Sequence, residues 1–112
     1  MEKVTAGRAQ LGGFAPQFAA LNDDVLFGEV WSREGQLSAR DRSIVTVTTL
    51  MASGILDSSL QFHLQNAKKH CVTQAEIAEI LTHAAFYAGW PKAWAAFRMA
   101  KEVWAEDKDS KI

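Results

Sequence analysis

Residues 54–91 read GILDSSLQFHLQNAKKHCVTQAEIAEILTHAAFYAGWP, and this stretch decides the fold. Two helical patterns lie in it, joined by a short turn. In the first, Leu56, Leu60, Leu64 and Ala67 recur at three- to four-residue spacing and make one helical face. His63 lies on that face. An imidazole in an apolar stripe is either a satisfied core group or a working one. The second pattern carries Ile77, Ile80, Leu81, Ala84, Ala85 and Ala88. It opens on Thr73-Gln-Ala-Glu76, a capping box in which the Thr hydroxyl and the Glu carboxylate each satisfy an orphan backbone amide. It closes at Gly89-Trp90-Pro91. There the glycine suits the left-handed residue that ends a helix, and Pro91 suits the first turn of the next.

Working outward, Ser38-Ala-Arg-Asp41 has the form of a helix start, with Asp41 at the positive end of the dipole. The run from Ile44 to Ala52 is apolar nearly all round. Its β-branched residues also fit a strand, but the cap, the length and the helical neighbours decide for helix. A helix of that kind is expected to be buried centrally, and Gly54 ends it. The next helix spans about residues 57–70 and finishes on Lys68-Lys69-His70, cations at its negative end. The capping-box helix follows over 73–88. A last helix from Pro91 carries Trp94, Phe97, Met99, Ala100 and Trp104 before a polar tail over 106–112.

Toward the N-terminus, Phe14, Phe18, Leu21, Val25, Leu26 and Val30 make another helical pattern, with Pro16 in its first turn. Asn22-Asp23-Asp24 is expected to break it into two short helices, the second reaching about Trp31. Residues 1–12 read as a flexible arm or a short helix docked on a neighbour, and 32–37 as a loop turning at Gly35. No hairpin signal or repeat interrupts this. The expectation is one all-α domain of about five or six helices over residues 1–112.

Hydrophobic residues make up 48% of the chain, which is globular rather than disordered composition. A net charge of −1 gives no electrostatic case for nucleic acid. No apolar run approaches a membrane span, and MEKVTAGRAQ lacks the apolar core of a signal peptide. The single cysteine excludes an internal disulfide and suits a reducing cytoplasm. Four Trp and six Phe in 112 residues suit subunit interfaces as well as a core.

Several groups can carry chemistry. His63 is the first, its bland alternative being a core histidine bonded to a backbone carbonyl. His83 and Tyr87, four apart, share a helical face with Glu79 one turn earlier; the alternative is a face packed on a partner helix. Arg40 and Arg42 can hold a carboxylate bidentately or simply meet solvent. Glu29 beside Trp31 becomes an acid or base if burial raises its pKa, and is otherwise a surface carboxylate. The histidines at 63, 70 and 83 lack metal-binding spacing. Ser58 and Ser59 precede His63 without the strand–turn context of a nucleophile, and there is no phosphate loop. Cys71 falls just past a helix end, where a left-handed residue costs about 1 kcal/mol unless it is glycine. A helix C-terminus also disfavours a thiolate.

Taken together, Leu60-Gln-Phe-His63-Leu, Ala67-Lys-Lys-His-Cys-Val-Thr73, Glu76-Ile-Ala-Glu79-Ile and Thr82-His83-Ala-Ala-Phe86-Tyr87-Ala-Gly89-Trp90-Pro91 resemble the carboxymuconolactone decarboxylase family. So do Phe27-Gly-Glu29-Val-Trp31-Ser-Arg33 and Leu37-Ser-Ala-Arg40-Asp-Arg42-Ser. The resemblance covers roughly residues 14–105. It implies the alkylhydroperoxidase-D-like fold, antiparallel helices around a helical hairpin, assembled into homo-oligomers, commonly trimers or hexamers. It implies two branches of activity. One removes CO2 from γ-carboxymuconolactone in aromatic catabolism without a cofactor. The other, a peroxiredoxin-type antioxidant branch, uses a Cys-x-x-Cys pair. Those cysteines would fall at Leu56 and Ser59, so that chemistry is disfavoured here. Decarboxylases of the family often carry Glu at the position of Ser59, and the family usually has Gly at that of Cys71.

Under this resemblance the partner is a small carboxylated substrate, with no metal or organic cofactor required. Loss of CO2 leaves an electron pair that a neighbouring carbonyl must take up. His63 would stabilise that enolate or supply the proton. Arg40 or Arg42 would anchor a second carboxylate. Trp31, Phe62 and Trp90 would give the departing carboxylate an apolar surface, His83 would line the substrate, and Glu29 or Tyr87 would complete a proton path. The alternatives are a non-catalytic small-molecule-binding oligomer of the same fold and, ranked last, a redox protein using Cys71 between subunits.

Overall fold

The computed structural model describes residues 3–110, with side chains to Ala105. All its regular structure is helical: six α-helices and one π-helical segment.

The first unit holds residues 3–39. It contains α1 (Ala6–Leu11), α2 (Pro16–Ala20) and the π-helical segment Leu21–Val30. The break expected at Asn22-Asp23-Asp24 does not occur, because α2 runs straight into the π segment. The wider i→i+5 turn, seen where the Trp31 amide donates to the Leu26 carbonyl at 3.0 Å, suits apolar residues spaced four to five apart, as Leu21, Val25 and Val30 are. The acids hold α1 instead. The buried Asp23 carboxylate accepts the amides of Gly7 at 2.8 Å and Arg8 at 2.9 Å. Asp24 takes the Arg8 guanidinium with both oxygens, at 2.9 and 2.6 Å. Gly7 is required there, since a Cβ would lie 2.7 Å from Asp23 Oδ1. Burial works to raise the Asp23 carboxyl. Hydrogen bonds from Asn22, Arg8 and Gly7 and the Arg8 charge outweigh it and hold the group below its usual range. Residues 1–12 are therefore a short docked helix from Ala6 on; Met1 and Glu2 lie outside the described residues.

The second unit, from Arg40 on, holds α3 (Ala39–Ala52), α4 (Ser58–Lys69), α5 (Gln74–Ala88) and α6 (Trp90–Ser110). Leu60, Leu64, Ile77 and Leu81 form its centre, with Val47 and Met51 from α3 and Ala96, Ala100 and Trp104 from α6. Each such leucine contributes roughly 2 kcal/mol by leaving water. Trp104 is satisfied by donating its Nε1–H to the Val72 carbonyl at 3.1 Å. Contrary to expectation, α3 is not buried all round. Only the stripe Ala39, Ser43, Val47 and Met51 is inside, while Val45 is 56% exposed. Its apolar composition serves two faces, one of which stays open.

Local signals set the helix ends. Asp57 caps α4 by accepting the Ser59 amide at 2.9 Å. The Thr73–Glu76 capping box starts α5, with bonds of 2.9 and 3.1 Å. After α4, Cys71 adopts φ 74°. Its amide donates to the Lys68 carbonyl, and the Val72 amide to that of Ala67, at 3.1 and 3.0 Å; this is a Schellman turn. Gly54 closes α3 in the same way at φ 80°. Gly89 differs from the left-handed form expected. At φ 119° and ψ 139° it is extended at positive φ, a conformation essentially reserved for glycine. That kink lets α6 begin at once. No Gly or Pro follows Pro91, so α6 continues through the expected polar tail to Ser110; residues 111 and 112 lie outside the described residues. Among the described residues, no helix is long and apolar enough to cross a membrane.

Candidate functional site

His63 projects from α4 beside the buried stripe Leu60, Leu64 and Ala67. It is half-buried, with Nδ1 shielded from solvent. The Phe62 ring meets it edge-on, centroids 4.9 Å apart. Burial pushes the imidazole below its usual range, so the neutral form prevails at neutral pH. A neutral imidazole keeps one N–H to donate and one lone pair to accept. His70, two turns on and on the same face of α4, meets α3 through Nδ1, 3.0 Å from Ser43 Oγ. That bond ties the C-terminal end of α4 to the first turns of α3. Arg42, half-buried, is the neighbour of Ser43 on that helix.

Arg40 is engaged elsewhere. Its guanidinium is ion-paired with Glu76 and lies 3.7 Å from Asp41. Glu76 thus serves twice, one oxygen closing the capping box and the other joining α3 to α5. The Thr73 amide first, and Arg40 second, hold its carboxyl below the usual range. An anchoring role for Arg40 toward a substrate is at odds with this pairing. Glu29 and Trp31 belong to the first unit. Glu29 is exposed on the π segment, so burial against Trp31 is not met there. Trp31 is buried and stacks on Phe27 at 6.1 Å. Trp90 opens α6, half-exposed, with Phe86 edge-on at 5.6 Å.

His83 and Tyr87 come together as their spacing requires, ring centroids 5.3 Å apart. They line a groove of about 710 Å³ between α3 and α5. Helix α5 supplies Glu79, Ile80, His83, Ala84, Tyr87 and Ala88 to it. Helix α3 supplies Ile44, Thr48 and Ala52. The helices run side by side in the same direction: Arg40–Glu76 joins their starts, and Lys92, just past α5, donates to the Ala52 carbonyl at 3.2 Å. His63, Arg40, Arg42, Phe62 and Trp90 are not among the lining residues. The structure thus separates the His63 face from the His83–Tyr87 groove. Sequence reasoning missed Thr48 and its stripe. Their i, i+4, i+8 spacing was visible, but it was absorbed into a helix read as apolar on every side.

The molecule is an all-α protein that offers small molecules a concave, mostly apolar cleft. A sequence model of the carboxymuconolactone decarboxylase family matches residues 16–102. The chain is also 38% identical over 103 residues to a protein from Acinetobacter baylyi named 4-carboxymuconolactone decarboxylase. That match covers 92% of this chain and 75% of the relative. The chain belongs to the carboxymuconolactone decarboxylase family.

Proposed function

We propose that this protein is a lyase that decarboxylates a small carboxylated lactone, γ-carboxymuconolactone or a close analogue, without a cofactor. Family membership and the name of the 38% identical relative support the reaction class. The observation that carries the mechanism is His63, an imidazole kept neutral by burial on the central hairpin. In the proposed reaction the bond from the ring carbon to the carboxylate breaks and CO2 leaves. The electron pair passes through the conjugated system to the lactone carbonyl. The His63 N–H donates to that oxygen as charge develops, which is worth most in a partly desolvated site. A proton then reaches carbon from solvent on the exposed side of the site, so each turnover consumes one proton. Arg42 is the guanidinium assigned to the second carboxylate, with Phe62 as apolar surface for the departing one.

The reading includes self-association. Phe62, Phe86, Trp90 and Trp94 are each 51–75% exposed, an apolar surface of a kind that marks interfaces. A trimer or hexamer covers it. Two measurements test the proposal. Ultraviolet loss of γ-carboxymuconolactone should be matched by CO2 release, mole for mole, and should survive a chelator; no turnover contradicts the substrate. Sedimentation should give a trimer or hexamer; a monomer throughout the micromolar range contradicts the assembly.

A further inference from the structure

We propose that the groove between α3 and α5 is a binding site for a small uncharged ring carrying one hydroxyl, of which a phenol is the simplest case. This is independent of the decarboxylase reading, whose substrate is an anion.

The volume comes first. About 710 Å³ lies within the range of roughly 300–1,000 Å³ usual for small-molecule sites. The floor comes next. Ala52, Ala84 and Ala88 have no side chain beyond Cβ, so a flat ring can lie close against both helices, with Ile44 and Ile80 adding aliphatic wall. The polar groups are few: Glu79, His83 and Tyr87, one per turn of α5, form one rim, and Thr48 lies across from them on α3. Among the described residues, no hydrogen bond engages the Glu79 carboxylate, the His83 imidazole or the Tyr87 hydroxyl.

Charge selects the occupant. None of the lining residues is Lys or Arg. The cations at the two ends already have protein acceptors: Arg40 pairs with Glu76, and Lys92 caps the Ala52 carbonyl. A carboxylate ligand would find no counter-charge and would face Glu79. An ammonium ligand would give up its hydration for one exposed carboxylate, whose attraction water screens. A hydroxyl suits the rim best. It can donate to Glu79 or to an imidazole nitrogen and accept from Tyr87 at once, while its ring takes the apolar floor.

The test uses the full chain and three ring probes of one shape: 4-ethylphenol, 4-ethylbenzoate and 4-ethylbenzylamine. Calorimetry measures affinity and amide shift changes locate the bound ring. The phenol should bind at neutral pH, shifting Thr48, Ala84 and their neighbours, with both charged probes weaker by roughly tenfold, about the value of one net hydrogen bond to a charged group. Thr48→Phe, which fills the groove from the α3 side, should abolish binding. Tyr87→Phe removes one hydroxyl from an exposed side chain without risk to the fold, and should weaken the phenol severalfold. Equal or better binding of either charged probe overturns the proposal. So do phenol affinities unchanged in both variants, shifts confined to other helices, and no binding up to about 10 mM, where even millimolar affinity would register. If Thr48→Phe changes the sedimentation coefficient while phenol affinity holds, a second copy covers the groove and the proposal fails.

Discussion

Cys71 shows how much one position can disclose. Two cations and a histidine end α4, and the next residue has to turn left-handed; that much is legible in the chain, and φ is 74°. The side chain is exposed and the Schellman bonds are complete, so nothing in the fold compensates the strain. Cys71→Gly should raise the unfolding free energy by about 1 kcal/mol, read by urea denaturation; an unchanged or lower midpoint contradicts this account of the turn. Arg40 was not legible in the same way. Its partner Glu76 lies 36 residues away, and its second oxygen is available only because the first is spent on the capping box. His63 lies between these cases. The stripe places it at the core edge, but only packing shows that burial depresses its pKa. In the unfolded chain it titrates near 6.5, higher than in the fold, so the unfolded state takes up the proton first as pH falls. The stability His63 contributes is therefore full above about pH 6.5 and lost as pH drops toward the folded-state value. Thermal midpoints followed from neutral to mildly acidic pH should fall less steeply in His63→Gln than in the parent. Parallel curves would remove burial of the neutral ring from the account.

At the level of helices, the hairpin of α4 and α5 followed from the chain almost residue by residue. Its caps are local: Asp57 and Ser59, or Thr73 and Glu76, lie within three residues of each other. The errors fell where a partner is distant. Asn22-Asp23-Asp24 has the composition of a turn, yet Asp23 is spent on amides 15 and 16 residues upstream, so the helix need not break. Likewise, apolar residues all round α3 do not say whether both faces meet the same chain. The Asp23 clamp makes a definite expectation. In Asp23→Ala the amides of Gly7 and Arg8 lose their acceptor, and their hydrogen exchange should quicken by roughly tenfold or more, while amides of α4 and α5 hold. Unchanged exchange at Gly7 and Arg8 would mean that α1 is held by something other than this carboxylate.

For the molecule as a whole, the fold class and the family were legible because the helical periods, caps and ordered motifs agree with one another. The chemistry was legible only in part. The resemblance assigned His63, His83 and Tyr87 to one substrate, whereas His63 does not line the groove that holds the other two. Linear order cannot show which side of a shared helix each neighbour packs against. The aromatic count was legible as high for a core this size; which rings stay outside, among them Phe86, Trp90 and Trp94, only the fold shows. In the proposed function, His63 stabilises the enolate that loss of CO2 leaves. The most direct test of that role is kcat/KM on γ-carboxymuconolactone for the parent and His63→Gln, with circular dichroism showing the same fold. Removing one hydrogen-bond donor to a developing oxyanion costs about 10²–10³-fold, so the variant should fall by that factor. A variant that stays folded and turns over the lactone at the parent rate would contradict the claim, and catalysis would then have to be sought away from α4.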